Sequence, residues 1–315
     1  MKILVTGGAG FIGSNLVDSL VRENHEVIVV DNLSTGKTEN INENAVFYNI
    51  DLRDASKLNS LFQKERPEII YHLAAQINVR RSIKDPFYDE SVNIAGSLNL
   101  LECCKDYGVR RIIYSSSGGA VYGEPNKLPA PEEHEIRPLS HYGASKFAVE
   151  SYLSVYNSIY GLDYITLRYA NVYGPRQDFL GEAGVIAIFI RNALIGEPLT
   201  IFGDGKQTRD FVYVNDVVNA NILSLNYRGN YKTFNIGTGV QTSINQIAEE
   251  IEKTIGKKLM IRREDAIKGE VRDTYLDISR AKRELSFLPS VSISEGIRLT
   301  FEWAKTSMIK NKQKR

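Results

Sequence analysis

Tyr142 and Lys146 stand four residues apart in His141-Tyr142-Gly143-Ala144-Ser145-Lys146. In a helix that spacing puts both side chains on one face. A free phenol, with a pKa near 10, is a poor base at neutral pH. An ammonium about 5 Å away is worth roughly 3 kcal/mol at an effective dielectric of about 20, or about two pKa units. The pair therefore suits removal of a hydroxyl proton, with Tyr142 as base and Lys146 as its cationic partner. Upstream, Ser115-Ser116-Ser117 closes the apolar run Ile112-Ile113-Tyr114. Hydroxyls at the C-terminal end of a strand project into the crevice where open α/β sheets bind ligands. One of them can share a proton with Tyr142, while turn or capping chemistry accounts for at least one other.

A second constellation opens the chain. Thr6-Gly7-Gly8-Ala9-Gly10-Phe11-Ile12-Gly13 follows an apolar run and starts an amphipathic stretch. Gly7 allows a tight turn, Gly10 lets backbone approach a pyrophosphate, and Gly13 lets the helix pack closely on the sheet. The free N–H groups near Phe11 and Ile12, with the helix dipole, favour that anion. Asp31 closes the next strand, where a carboxylate accepts hydrogen bonds from an adenosine ribose and repels a 2′-phosphate. The cofactor expected is NAD rather than NADP. Asp51-Leu52, ending the third strand, either borders the adenine or simply starts a helix.

Both constellations need a scaffold, and the apolar rhythm supplies it. Ile3-Leu4-Val5, Val27-Ile28-Val29-Val30, Val46-Phe47-Tyr48, Ile69-Ile70-Tyr71, Ile112-Ile113-Tyr114 and Tyr164-Ile165-Thr166-Leu167 alternate with helical stretches carrying Leu16/Leu20, Leu58/Leu61/Phe62 and Leu98/Leu101. Continuous apolar strands separated by helices predict a parallel sheet covered on both faces, a doubly wound α/β fold of the Rossmann type. Pro125, Pro129, Pro131 and Pro138 mark a surface loop over 123–140. Beyond 170 the rhythm is irregular, with helices expected near 183–195, 216–225, 244–255 and 293–305.

Composition removes other classes. The 315 residues are 43% hydrophobic and 24% charged, ordinary globular usage that disfavours disorder and coiled coil. A net charge of +1 predicts no broad basic face for nucleic acid. No stretch reaches the length of a membrane span, the strongest run near one being Val185 to Ile190. Cys103 and Cys104 are adjacent, which suits neither an ordinary disulfide nor zinc spacing, so no metal is expected and the thiols read as buried fillers in a reducing cytoplasm. Lys310, Lys312, Lys314 and Arg315 read as a solvated tail.

Taken together, the glycine loop, Asp31, His72-Leu73-Ala74-Ala75-Gln76, the serine segment, Tyr142/Lys146 and Arg168-Tyr169-Ala170-Asn171-Val172-Tyr173-Gly174-Pro175-Arg176 resemble the extended short-chain dehydrogenase/reductases, within them the NAD-dependent epimerases and dehydratases, and most of all the UDP-glucose 4-epimerases. The resemblance runs from Met1 to about Glu302. It implies Tyr142 as base, Lys146 as partner and holder of the cofactor ribose, and Ser117 as assisting hydroxyl, with Ser116 a second candidate. It also implies that Asn32, Gly36, Asp51, Leu52, Ala74, Ala75 and Asn93 border NAD. Asn171, Val185 and Arg209 would meet the sugar nucleotide. Many relatives carry a diphosphate-gripping arginine where Ile267 stands, a role left here to Lys268 or Arg272. On the residues alone, Arg209 could equally pair with Asp210 or Asp216.

The implied reaction is 4-epimerisation of a UDP-hexose through a transient 4-keto sugar. The alternatives are 4,6-dehydration or decarboxylation of a nucleotide sugar, which in relatives uses a carboxylate where Gly118 and Gly119 stand here, and a non-catalytic NAD-binding interaction protein. Thr274 aligns with a position gating bulk near the sugar's 2-substituent, so N-acetylated sugars are expected to enter. The expected division is an NAD-binding unit of 1–170, rejoined by 208–240, and a smaller substrate unit of 171–207 and 241–315. A homodimer is expected through helices near 90–107 and 142–160, where Leu153 and Tyr156 serve either the contact or the core.

Overall fold

The computed structural model describes residues 1–179, 184–266 and 271–313. The chain opens with β1 (Lys2–Thr6), α1 (Phe11–Arg22), β2 (Glu26–Asp31), β3 (Val46–Asn49), α2 (Ala55–Glu65) and β4 (Ile69–His72). Short helices α3 (Val79–Lys84) and α4 (Pro86–Glu90) and a π-helical turn at Ser91–Ala95 lead into α5 (Gly96–Asp106). Then come β5 (Arg111–Ser117), the single turn α6 (Gly118–Val121), α7 (His141–Tyr160) and β6 (Asp163–Tyr169).

These strands form one parallel sheet in the order β3-β2-β1-β4-β5-β6, the doubly wound topology that the apolar rhythm predicts. Alternation within β1 explains why both faces are covered. Ile3 and Val5 enter one core with Leu16, Leu20 and Phe234, while Leu4 enters another with Phe62, Leu100 and Leu153. The chain order reverses between β1 and β4, which opens a crevice at the carboxyl ends of those strands.

The second half is built from β7 (Asn171–Tyr173), α8 (Val185–Ile195), β8 (Leu199–Phe202), β9 (Thr208–Arg209), β10 (Phe211–Tyr213) and α9 (Val214–Leu225). It ends with β11 (Thr233–Ile236), β12 (Thr242–Ser243), α10 (Ile244–Ile255), β13 (Ile261–Glu264), α11 (Ser279–Leu285) and α12 (Ile293–Gln313). β11 adds to β6 as the outermost strand of the sheet. The pairs β7–β10, β8–β13 and β9–β12 escape a sequence reading, because strands this short show no alternation.

A third core gathers Tyr173, Phe189, Ile201, Ile247, Ile251 and Ile297. Residues 276–287 do not join it. Leu276, Ile278, Ala281, Leu285 and Phe287 pack against the sheet with Phe234 and Ile236, so this stretch departs from the expected smaller unit. Leu153 and Tyr156 are core residues. Among the described residues no helix is long and apolar enough to cross a membrane. Ile267, Lys268, Gly269 and Glu270, and the side chains of the basic tail, lie outside the described residues.

Candidate active site

A cavity of about 580 Å³ follows the crevice at the carboxyl ends of the strands. At one end lies the glycine loop. Gly7 has φ +71°, and a Cβ there would come 2.8 Å from the backbone of Ala74. A Cβ on Gly13 would stand 2.1 Å from the carbonyl oxygen of Gly7, so close helix-on-loop packing excludes any larger residue. Asp31 is buried beside this loop and accepts hydrogen bonds from the N–H groups of Ala9 (3.0 Å) and Leu33 (2.8 Å). Burial raises its carboxyl pKa, and these two N–H groups oppose the rise. Gly36 does not line the cavity; it backs Asp31, whose carboxylate a Cβ would meet at 2.7 Å.

Asn32, Asp51 and Leu52 also line the cavity. Asn32 donates to Asp51, and Asp51 is gripped by the Arg53 guanidinium, which holds its carboxyl far below the usual range. The N-cap of α2 is Asp54 rather than Asp51. Ala74 and Ala75 lie on the cavity wall. Asn93 does not. It is 2% exposed in the π-helical turn, and its amide is spent on Gln76, Asp89 and Ser145. Its part is to hold Gln76, which lines the cavity.

His72 supports the loop from below. Ser97 Oγ gives its proton to the Asn93 carbonyl, so His72 Nε2 must donate to that oxygen and Nδ1 must accept from Thr6. Burial lowers the imidazole pKa to about 3, which keeps it neutral.

Mid-cavity, α7 faces the end of β5. Ser140 caps the helix by accepting from Gly143 N–H, and Tyr142, Lys146 and Glu150 then recur along one face. The Ser117 hydroxyl stands close enough to the Tyr142 phenol to lower its pKa. Ser116 is already engaged: it donates to Glu150 at 2.5 Å. Lys146 Nζ donates to the Ser115 carbonyl at 2.7 Å and stands 4.8 Å from the centre of the Tyr114 ring.

In the chain alone the expected depression of the phenol does not arise. Burial pushes Tyr142 up to about 12 against the Ser117 hydroxyl, and burial brings Lys146 down to about 8. Desolvation is the largest influence on the phenol, and the Lys146 ammonium is directed at a carbonyl.

At the far end Asn171 lines the cavity. Val185 does not; it opens α8 between the lining residues Gly184 and Ile186 and packs into the third core. Arg209 is also off the wall and donates to the carbonyls of Thr208 (2.7 Å) and Arg272 (3.2 Å). Asp210 accepts from Thr238 and Gly239, and Asp216 from Ser290 and Val291. Arg272 forms an exposed bidentate pair with Asp204, both contacts 2.9 Å. Lining residues that sequence reasoning missed include Lys37, 3.7 Å from Asp178, and Arg81, 3.8 Å from the centre of the Tyr88 ring. Their signal was a basic residue shortly after each cofactor motif.

The glycine cradle, the Asp31 carboxylate and the Tyr-Lys pair share one cavity and fit a dinucleotide. The family model of the NAD dependent epimerase/dehydratase family matches residues 3–237. The chain belongs to that family. It is similar to a UDP-glucose 4-epimerase from Thermotoga maritima solved with UDP-glucose, at 48% identity and a TM-score of 0.96, covering 98% of this chain and 100% of that one. A Thermus thermophilus UDP-glucose 4-epimerase solved with NAD is 43% identical, with a TM-score of 0.91 and coverage of 96% and 98%. A UDP-N-acetylglucosamine 4-epimerase from Methanobrevibacter ruminantium, in complex with UDP-N-acetylmuramic acid, is 38% identical, with a TM-score of 0.92 and coverage of 98% and 99%. NAD is the cofactor of this family, and Gly7, Gly10, Phe11, Ile12, Asp31, Ala74 and Ala75 line the cavity here.

Proposed function

We propose that the protein interconverts the C4 epimers of a UDP-hexose, UDP-glucose and UDP-galactose first among them. The observation that supports this most directly is a single cavity running from Asp31 past Ser117, Tyr142 and Lys146 to Asn171. NAD, when bound, supplies a hydride acceptor for C4 and a positive ring that opposes the burial-raised phenol pKa. Tyr142 takes the 4-OH proton with Ser117 sharing its hydrogen bond, and the phenol returns that proton to the 4-oxygen after the keto sugar has turned over. Lys146 holds the ribose side of the site.

The sugar needs room to turn, and the two glycines differ in this. A Cβ at Gly118 would strike Leu276 at 2.7 Å, whereas at Gly119 its nearest neighbours would be Asn171 Oδ1 at 3.8 Å and Ser117 Oγ at 4.0 Å. The less crowded glycine thus stands beside Ser117 and Asn171, and no carboxylate follows Ser117 to drive dehydration. Thr274, 7% exposed and donating its N–H to the Thr208 carbonyl, is proposed to admit N-acetylated sugars.

The proposed division has the NAD-binding lobe of 1–170 and 208–240, with 276–287 packed onto it, facing the remaining residues across the cavity. A homodimer in the cytoplasm completes the reading: α7 exposes Tyr152, Val155, Ile159 and Tyr160, an apolar stripe that a second copy would cover.

The test is purified protein on UDP-galactose, UDP-N-acetylgalactosamine and UDP-glucuronate, with product stereochemistry at C4 read without added NAD. Conversion to the C4 epimer supports the reading, and the rate ratio names the sugar. No conversion, with or without NAD, sinks it. Tyr142→Phe is expected to keep bound NAD and to lose about 10²–10⁴-fold in turnover.

A further inference from the structure

Three residues on one face of α7 grip three successive residues of β5. Tyr142 meets the Ser117 hydroxyl, Lys146 the Ser115 carbonyl and Glu150 the Ser116 hydroxyl. We infer that Glu150, backed by Arg168, is a positioning residue that fixes Ser116 and thereby holds Ser117 in register with Tyr142. This rests on the epimerase reading for its kinetic tests alone.

The geometry around Glu150 is over-determined. Glu150 is 7% exposed and Arg168, opposite Ser116 in the strand register, is 5% exposed. Arg168 Nη2 donates to Glu150 Oε2 at 2.6 Å, and Nε donates to both carboxylate oxygens, at 3.1 and 3.2 Å. The remaining nitrogen donates to the Tyr122 hydroxyl (2.9 Å) and the Glu132 carbonyl (3.1 Å), and Tyr122 in turn donates to Asn235 of β11. The carboxylate is thus anchored from the far edge of the sheet. A buried pair of this kind contributes little net stability against an apolar pair of equal volume, so its value lies in placement.

Glu150 also faces the ammonium of Lys146. The groups around that ammonium are Tyr142 and Glu150 on its own helix, Asp89 from α4, His72 from β4 and Tyr114 from β5. Burial lowers Lys146, and the carboxylates of Asp89 and Glu150 hold it up. Glu150→Gln should therefore move the alkaline limb of the turnover profile to lower pH, which loss of packing alone does not do.

The expected result for Glu150→Gln is a fall in kcat of about ten-fold or more, with KM and bound NAD unchanged. Glu150→Asp, which keeps the charge on a shorter arm, should recover part of it. Combining Glu150→Gln with Arg168→Met removes the unpaired buried cation, so thermal stability should return while kcat stays low. Recovery of kcat along with stability would show the pair to be structural and overturn the inference. Ser116→Ala leaves the ion pair intact and should also lower kcat; full turnover in that variant overturns it too. Crystal structures of wild type and Glu150→Gln decide without any substrate: the Ser117 and Tyr142 oxygens are expected to move apart in the variant, and an unchanged separation refutes positioning. A wild type that epimerises no UDP-sugar would instead count against the functional reading.

Discussion

The two ends of the cavity are built differently. At the cofactor end, close contacts leave no freedom: Gly13 admits no Cβ, and His72 has both ring nitrogens engaged. At the far end, a Cβ on Gly119 would meet only ordinary contacts, at 3.8 and 4.0 Å, and the two candidate cations, Arg209 and Arg272, are engaged away from the wall. In the proposed reaction, a cofactor reused each cycle rewards a preformed cradle, whereas a substrate that must enter, turn over and leave rewards looseness.

The largest expected effect tests the tight end. Gly13→Ala should cost about 3 kcal/mol of unfolding free energy, because the new methyl forces the loop apart, and should strip bound NAD. Gly119→Ala should stay within about 0.5 kcal/mol of wild type. Equal costs in denaturant titrations would abolish the contrast.

Next comes acid. Burial sets the folded pKa of His72 at about 3, below its ordinary 6.5, so the unfolded chain binds the proton first. Stability from this group is present above pH 6.5 and is lost as pH falls from there towards 3, by about 2 kcal/mol at pH 5. Denaturation midpoints at pH 7 and 5 should converge in His72→Gln; an equally steep loss there would assign the acid sensitivity elsewhere.

The loose end should respond more mildly. If Arg209 leaves its carbonyls to grip the diphosphate, Arg209→Ala raises KM for the UDP-sugar about ten-fold with NAD content unchanged. Arg272→Ala, which breaks only an exposed pair, should change KM less than about two-fold. Steady-state kinetics on the two variants ranks them, and a reversed order would move the anchor to Arg272.

Legibility in the sequence follows the same divide. The cradle could be read because its residues are contiguous: a turn, a close approach and a helix start are encoded within Gly7 to Gly13, and the strands in their β-branched runs. Motif order says that Asn93 is near the site without saying whether its amide faces the cavity or a neighbour such as Gln76. The run Ser115-Ser116-Ser117 does not encode the claim of Glu150 on Ser116. The spacing of Tyr142, Lys146 and Glu150 was visible throughout, but the pairing of Glu150 with Arg168 depends on how α7 crosses β6, which no local period encodes.

β11 carries a consequence for how the chain is made. Its residues, Thr233–Ile236, pair with β6, which ends at Tyr169. At a synthesis rate of roughly 5–20 residues per second, the emerging polypeptide holds an open, apolar strand edge for several seconds before its partner leaves the ribosome. Chains interrupted in that interval are the ones expected to need a chaperone, and lengthening the interval with slow codons between 170 and 232 should lower soluble yield without altering the mature enzyme.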